Sequence, residues 1–496
     1  MNLSRPLRWI AGLLGVGLMA GCTFGGGASP TPTPTGTPRP FTVVVTQSIT
    51  TTDPAAATRD TDTTLVLAVY QRLMSVRPGK NELKPALATD CLFKTPTLME
   101  CTIPKDLKFS NGDPLTSASV KFSIERAYRL AIPHTSVSLL SALDTITVPD
   151  ATTVRFNLKY PDSQFGYALA TPAASIVDEL AYDPDKVRPL DKPPVGSGIY
   201  ALAAADAAHA ELVRSQTAPA GSDDPAMIAA ATILVVADSA AAEAAIGAGS
   251  ADVVWRSLDA PAIARLTTEM AANSGHQTKA GFSRQSLTGT HRMLLRWNSA
   301  SPNVLNATLR DAIAAALQPD RTLDSLVPPG LSGQVAAYPI GGTPTIVRPG
   351  GARVKLTLGY DSRLPGVADL SRTVRERLET QVGVSVQLKA DDETADLWIT
   401  DDQPWLATPL GWMQVYLEAA LPGVGDKVNQ LVQRYGSTID PTVQAVALTE
   451  LQKQAAADNT VLPMSLGDGT MFTGKGTTVA SYGAGWQLDL GGLRHA

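Results

Sequence analysis

Two stretches constrain the fold more than any other feature of this chain of 496 residues. "ATILVVADSAAAEAAIGAGSADVVW" and "RVKLTLGYDSRLPGVADLSRTVRERLETQVGVSVQL" each read strand, helix, glycine break, strand. In the second, Leu356 and Leu358 alternate as in a strand, and Leu370, Val374, Leu378 and Val382 recur at helical spacing. Gly383 then stops the helix and "VSVQL" resumes a strand. A helix crossing between two strands returns the second parallel to the first, so the fold class is α/β. The two units start more than a hundred residues apart, which fits two lobes better than one sheet.

Other segments fill in this frame. "FTVVVTQS" carries the β-branched run Val43 to Val45, suited to a strand covered on both faces. "DTDTTLVLAVYQRLM" follows, with Leu65, Val69 and Leu73 on one helical face. "LKFSNGDPLTSASVKFSIERAYRL" packs a strand end, a turn over Asn111 to Pro114 and a helix start into a short span. Thr116 is the expected N-cap, and Val120, Ile124 and Ala127 the apolar face. Ser119 stands where a capping box would carry Glu or Gln, so no full box is expected. "ITVPDATTVRFNLKY" reads as a hairpin turning at Pro149-Asp150, with Val154, Phe156 and Leu158 alternating after it.

A net charge of −5 and the lack of any long basic run exclude a phosphate-gripping surface, so nucleic acid is not an expected partner. The N-terminus pairs Arg5 and Arg8 with the short apolar run "WIAGLLGVGLMA". That describes a secretory signal over residues 1–21, too short to span a bilayer as a helix of roughly 20 apolar residues. "LMAGC" resembles a bacterial lipobox, which makes Cys22 the lipid-modified first residue of the mature chain. The blander reading is an ordinary signal peptide with an incidental cysteine. "TFGGGASPTPTPTGTPRP" follows as a flexible-to-extended spacer, so residues 22–40 are lipidated cysteine and linker. The expected location is the extracytoplasmic face of a bacterial cell membrane.

Cys91 and Cys101 then form an even remainder in an exported chain, and the hairpin-like "LFKTPTLME" between them points to a disulfide. A zinc site would need more soft ligands, and the five histidines are scattered; no metal or other cofactor is expected. No G-x-S-x-G is present. Gly469 to Lys475 nearly spells a phosphate loop, but Gly476 stands where Ser or Thr should hold magnesium. The chain is not expected to be an enzyme.

Several motifs occur together and in order: "TTDPA", "ELKPALATD", "LKFSNGDPLTSASVKFSIERA", "VPDATTVRFNLKYP", "PPVGSGIY", "GSADVVW", "LLRWNSASPNVLNATLRDAIAAAL" and "TELQKQAAADNTVLPM". This series resembles family 5 of the extracellular solute-binding proteins, the dipeptide, oligopeptide and nickel type that feeds ABC importers. The resemblance implies a periplasmic-binding-protein-like fold of type II, a Venus flytrap of two α/β lobes with an inserted extra domain. Residues 41–58, 190–285 and 470–496 would form lobe 1, residues 59–189 the inserted domain and residues 286–469 lobe 2. It further implies a monomer whose partners are a short peptide or related small solute, the permease subunits of an importer, and the membrane through the lipid anchor.

The sequence departs from the family pattern where function would be written. After "GSGIY" no aromatic cluster follows, and Ile199 replaces a proline. The family's "W-x-x-D-Y-x-x-P", whose aspartate binds a peptide's α-amino group, corresponds to "ADLWITDDQPWLATPLGW" with slipped spacing. Asp401 or Asp402 is the candidate carboxylate, with Trp398 and Trp405 (and Trp412 beyond) as aromatic walls for a cationic amine. The competing reading is a solvated acidic turn whose tryptophans belong to the core. Arg348 and Arg353 could reach a ligand carboxylate, although surface arginine is the commoner case. The leading expectation is a solute receptor. The alternative is a receptor fold that has lost transport and serves as a regulatory or scaffolding lipoprotein in cell-envelope assembly.

Overall fold

The computed structural model describes residues 40–77, 82–218, 227–479 and 487–495. The expected signal peptide, Cys22 and nearly all of the spacer lie outside the described residues. From Pro40 onward the chain forms one compact unit.

Strand β1 (Phe41–Val45) leads through a loop into helix α1 (Asp60–Val69). A separate α+β segment follows: β2 (Met74–Arg77), β3 (Glu82–Pro85), β4 (Asp90–Thr95), β5 (Leu98–Thr102), α2 (Ser117–Leu130), β6 (Leu143–Asp150), β7 (Thr153–Leu158) and the short α3 (Phe165–Ala168). The chain then builds β8 (Tyr200–Ala205), β9 (His209–Arg214), β10 (Ala230–Val235), α4 (Ser239–Ala248), β11 (Val253–Trp255) and α5 (Ala260–Ala272). The long strand β12 (Ser283–Trp297) carries it on to α6 (Ala307–Leu317), β13 (Lys355–Tyr360), α7 (Val367–Arg377), β14 (Ser385–Ala390) and β15 (Leu397–Asp401). Helices α8 (Gln414–Glu418), α9 (Gly425–Gly436) and α10 (Pro441–Asp458) precede the second long strand, β16 (Val461–Thr473), and a small pair, β17 (Thr477–Val479) with β18 (Leu493–His495).

Both strand–helix–strand units form as expected. β10 and β11 lie parallel on either side of β1, and β13 lies parallel between β14 and β15. The run Val43 to Val45 is buried, as a central strand with covered faces requires. One expectation needs correcting: the units do not sit in separate sheets. A single ten-stranded sheet runs β14-β13-β15-β12-β16-β11-β1-β10-β9-β8. The antiparallel pair β12 and β16 is long enough to belong to both halves, so hydrogen bonding is continuous where the cores are not.

Those cores are distinct. One gathers Leu294, Ile313, Leu358, Leu397 and Leu451 around the β13–β15 half. Others cover the two faces of the β1 half, with Val43, Tyr70 and Ile233 on one side and Val44, Ile246 and Phe472 on the other. A third region, including Met99, Cys101, Ile124 and Phe156, belongs to the α+β segment, whose four-stranded sheet is ordered β4-β5-β7-β6. Between the halves the β12/β16 register slips from Leu287 to His291. Gly289 takes φ +67° there, a conformation glycine adopts without Cβ strain, and Asp468 receives its N–H (3.0 Å) and the Ser286 hydroxyl (2.8 Å).

Two diagnostic motifs meet in one buried ion pair. Arg126 of "SIERA" donates to Asp53 of "TTDPA" through Nη1 (2.9 Å) and Nη2 (2.6 Å), and its Nε reaches the Asp183 carbonyl at 2.7 Å. The Ala55 and Arg188 N–H groups complete the Asp53 carboxylate at 3.0 and 2.7 Å. The corner at Asn111 behaves as read, with one exception. Thr116 Oγ1 accepts the Ala118 N–H, and Ser119 Oγ accepts the Thr116 N–H at 3.1 Å, so a reciprocal cap does form. A serine hydroxyl performs the task usually given to a longer Glu or Gln.

Cys91 and Cys101 face each other across β4 and β5 and are disulfide-bonded, with Cα atoms 4.1 Å apart. Replacing both with serine is expected to lower stability by about 2–3 kcal/mol, the chain-entropy value for so short a loop. Urea unfolding of the variant beside the oxidised parent checks this, and no change in midpoint would refute it.

Candidate functional site: a charged cleft at the strand ends

Parallel strands from both halves end at one place. β1 and β11 point their carboxyl ends at it from one side, β13 and β15 from the other, and α1, α5 and α7 begin there. Such crevices beyond the carboxyl ends of strands are where open α/β sheets bind ligands. Here the crevice is a cavity of about 580 Å³, bordered by both halves and by His134 from the α+β segment. That is within the range of roughly 300–1,000 Å³ seen for small-molecule sites.

Charge organises its inner wall. Asp60, at the first turn of α1, receives Trp255 Nε1 at 2.7 Å and Arg256 Nη1 at 3.2 Å on the same oxygen. Arg256 Nη2 continues to Asp401 Oδ2 at 2.7 Å, and His291 Nδ1 reaches that oxygen at 2.8 Å. The Asp401 side chain is only 8% exposed, and its Oδ1 is buried without a partner among the described residues. Burial pushes the Asp401 carboxyl up, but Arg256 and His291 outweigh it and hold it below the usual carboxylate range. Asp401 in turn raises His291, whose ring is 41% exposed.

The adjacent aspartate does something else. Asp402 pairs with Arg292, which is fully buried and also donates to the carbonyls of Leu326 (2.6 Å) and Trp412 (3.0 Å). The Arg292 guanidinium lies over the Trp412 ring, 4.6 Å from its centroid. Asp402 therefore borders the cavity while anchoring the segment after β15 to the core. Trp398 and Trp405 line the cavity, whereas Trp412 packs behind it. The structure thus brings Trp398, Asp401, Asp402 and Trp405 to one wall and divides the two aspartates between different partners. Arg348 and Arg353 do not line the cavity; they donate to backbone carbonyls at Thr380, Gln381 and Val384. The phosphate-loop near-miss begins inside strand β16, and Gly469 lines the cavity as part of that strand. No group of three or more His, Cys, Asp or Glu side chains among the described residues could hold a metal ion.

Sequence reasoning missed Asp60, Arg256 and His291, and also the contacts that close the cleft's mouth. His134 Nδ1 meets Glu418 Oε2 at 3.1 Å, and Arg296 Nη1 lies 3.0 Å from His134 Nε2. Ser138 donates to Glu418 at 3.2 Å and Arg363 to the Thr46 carbonyl at 3.4 Å; away from the cavity, the Ser163 N–H of the α+β segment donates to the Gly436 carbonyl of α9 at 2.7 Å. The last contact adjoins Asp162, which burial pushes up to about 6.

A carboxyl raised in the folded state binds its proton more tightly there than in the unfolded chain. Asp162 thus adds stability at low pH that is lost as pH climbs from about 4 to about 6. Asp162→Asn, which keeps the acceptor for the Gln164 N–H, should remove that slope and stabilise the protein by about 1–2 kcal/mol at neutral pH. Thermal unfolding across pH 4 to 7 reads it, and parallel profiles for parent and variant would refute it.

The family model for bacterial extracellular solute-binding proteins, family 5, matches residues 82–346. The chain belongs to this family. It is similar to the probable D,D-dipeptide-binding periplasmic protein DdpA of Escherichia coli K12, at 31% identity over 133 residues, a match spanning 26% of this chain and 25% of that relative. Among solved structures it resembles the dipeptide-binding protein of Pseudoalteromonas sp. SM9913 in complex with Met-Leu, with a TM-score of 0.76 at 15% identity over 92% of this chain and 100% of the other. The murein tripeptide binding protein MppA of Escherichia coli gives 0.76 at 14%, over 92% and 98%. AgaA of A. tumefaciens R10, in complex with agropinic acid, gives 0.75 at 16%, also over 92% and 98%. The fold of this family member is the two-lobed α/β architecture of type II periplasmic binding proteins. Among the described residues no helix is long and apolar enough to cross a membrane.

Proposed function

We propose that this protein is an extracytoplasmic receptor, anchored through a lipid on Cys22, that captures a short peptide or related small solute and delivers it to the permease subunits of an ABC importer. The observation that carries the reading is the cavity of about 580 Å³ between the carboxyl ends of strands from both halves. Its aromatic and charged lining suits a ligand with an extended polar backbone and charged ends. The names of the relatives, with dipeptides, a murein tripeptide and agropinic acid as their ligands, agree with that chemical class.

Capture needs no covalent step, and we assign no catalytic residue. Ligand contacts on both walls bias a hinge, and the register slip around Gly289 is its natural pivot. The working division keeps lobe 1 as residues 41–58, 190–285 and 470–496, the inserted domain as 59–189 and lobe 2 as 286–469, acting as a monomer. A purely scaffolding role would leave the cleft free to fill with side chains, and an open cavity speaks against it. A thermal-shift screen with di- to pentapeptides tests the reading. A rise in melting temperature for some members is expected, and no shift across the panel would count against solute capture.

A further inference from the structure

The inner wall of the cleft already contains a cation. Arg256 leaves the end of β11 on one lobe and reaches Asp401 at the end of β15 on the other, at 2.7 Å, while its second nitrogen holds Asp60 at 3.2 Å. The guanidinium is planar and turns separate nitrogens to two carboxylates at once. The side chains of Arg256 and Asp401 are 12% and 8% exposed, so the link is largely screened from solvent and from salt.

The backbone is bent to deliver it. Arg256 has φ +47°, in the left-handed region that a residue with a long side chain seldom occupies. His134, which meets Glu418 at the mouth of the same cleft, has φ +62°. Such conformations are strained and persist where surrounding contacts hold them. The Arg256–Asp401 contact also stands beside the pivot, since His291, which shares Asp401 Oδ2, is the first β12 residue after the register slip. The contact joins residues of opposite lobes across that pivot.

We propose that Arg256 is an internal occupant of the cleft, which latches the two lobes in the absence of ligand and determines specificity by making a ligand's ammonium group compete for Asp401. An ammonium reaching Asp401 gains one ion pair only by breaking another, so the net reward for carrying it is small. The latch stands on the geometry alone; the selectivity rests on the peptide-binding reading above.

Two variants cut the same contact from opposite lobes, Arg256→Gln and Asp401→Asn, and each is first verified as folded by circular dichroism. Small-angle X-ray scattering of ligand-free protein should give a larger radius of gyration for both than for the parent. Calorimetry with trialanine and N-acetyl-trialanine should show the parent preferring the free amine by less than about threefold, and Arg256→Gln by about tenfold or more. Scattering from both variants that superposes on the parent overturns the latch. A parent that already favours trialanine about tenfold overturns the specificity role. If neither peptide binds any of the proteins, the selectivity role fails, the thermal-shift panel decides the peptide reading itself, and the scattering comparison still decides the latch. Should one variant not fold, the other carries the scattering test.

Discussion

Asp53→Ala is expected to lower the stability of the protein by about 3–5 kcal/mol, because it leaves the Arg126 guanidinium buried without its counter-charge. Arg126 is 2% exposed and Asp53 is inaccessible, so water cannot replace the lost partner. The carboxylate also receives the Ala55 and Arg188 N–H groups, which would be orphaned with it. The damage extends across three segments, since Arg126 sits on α2, Asp53 follows β1, and the Asp183 carbonyl accepts from the same guanidinium. Urea unfolding followed by far-ultraviolet circular dichroism measures it. A loss below about 1 kcal/mol, the size of an exposed ion pair, would contradict the assignment.

Arg292→Ala should combine a loss of about 3 kcal/mol in stability with a fall of at least about tenfold in ligand affinity. Arg292 ties Asp402 and the carbonyls of Leu326 and Trp412 together, and its ring contact fixes Trp412. Removing it releases the stretch between Asp402 and Trp412, which supplies Pro404, Trp405 and Gly411 to the cavity wall. Asp402→Asn is expected to be milder, because Asp402 is 23% exposed and Arg292 keeps both carbonyls. Chemical unfolding and peptide titration of the two variants separate these outcomes. Unchanged affinity in a folded Arg292→Ala protein would show that this stretch does not shape the site.

The fold was legible in the sequence wherever structure is local. The glycine breaks, the β-branched run Val43 to Val45, the Thr116 cap and the hairpin each follow from residues a few positions apart, although the hairpin turns at Ala151-Thr152 and not at Pro149-Asp150, which end β6. The family motifs were legible too, although their physical content was not. Asp53 and Arg126 stand in two of the quoted motifs, yet they are separated by 73 residues and only folding pairs them. The single sheet was misread as two because β12 and β16 each serve both halves, and no local pattern reports that a strand is shared.

The site was harder to read for the same reason. Nothing about two neighbouring aspartates distinguishes Asp401 from Asp402. Their roles diverge because adjacent His291 and Arg292 on β12 take one each, across 110 residues. Arg256 was invisible because its importance depends on a left-handed backbone and on a partner 145 residues away. Its one local signal, an arginine directly after the strand "VVW", is weak without the fold around it.

The central claim, that the cleft between the lobes is a solute site, is tested most directly by isothermal titration of the intact protein with the peptides that pass the thermal screen. One ligand per chain, with a dissociation constant of about 1 μM or tighter for at least one of them, is the predicted result. No measurable heat from any of them at submillimolar concentration, in protein first unfolded and refolded to release co-purified ligand, would contradict it.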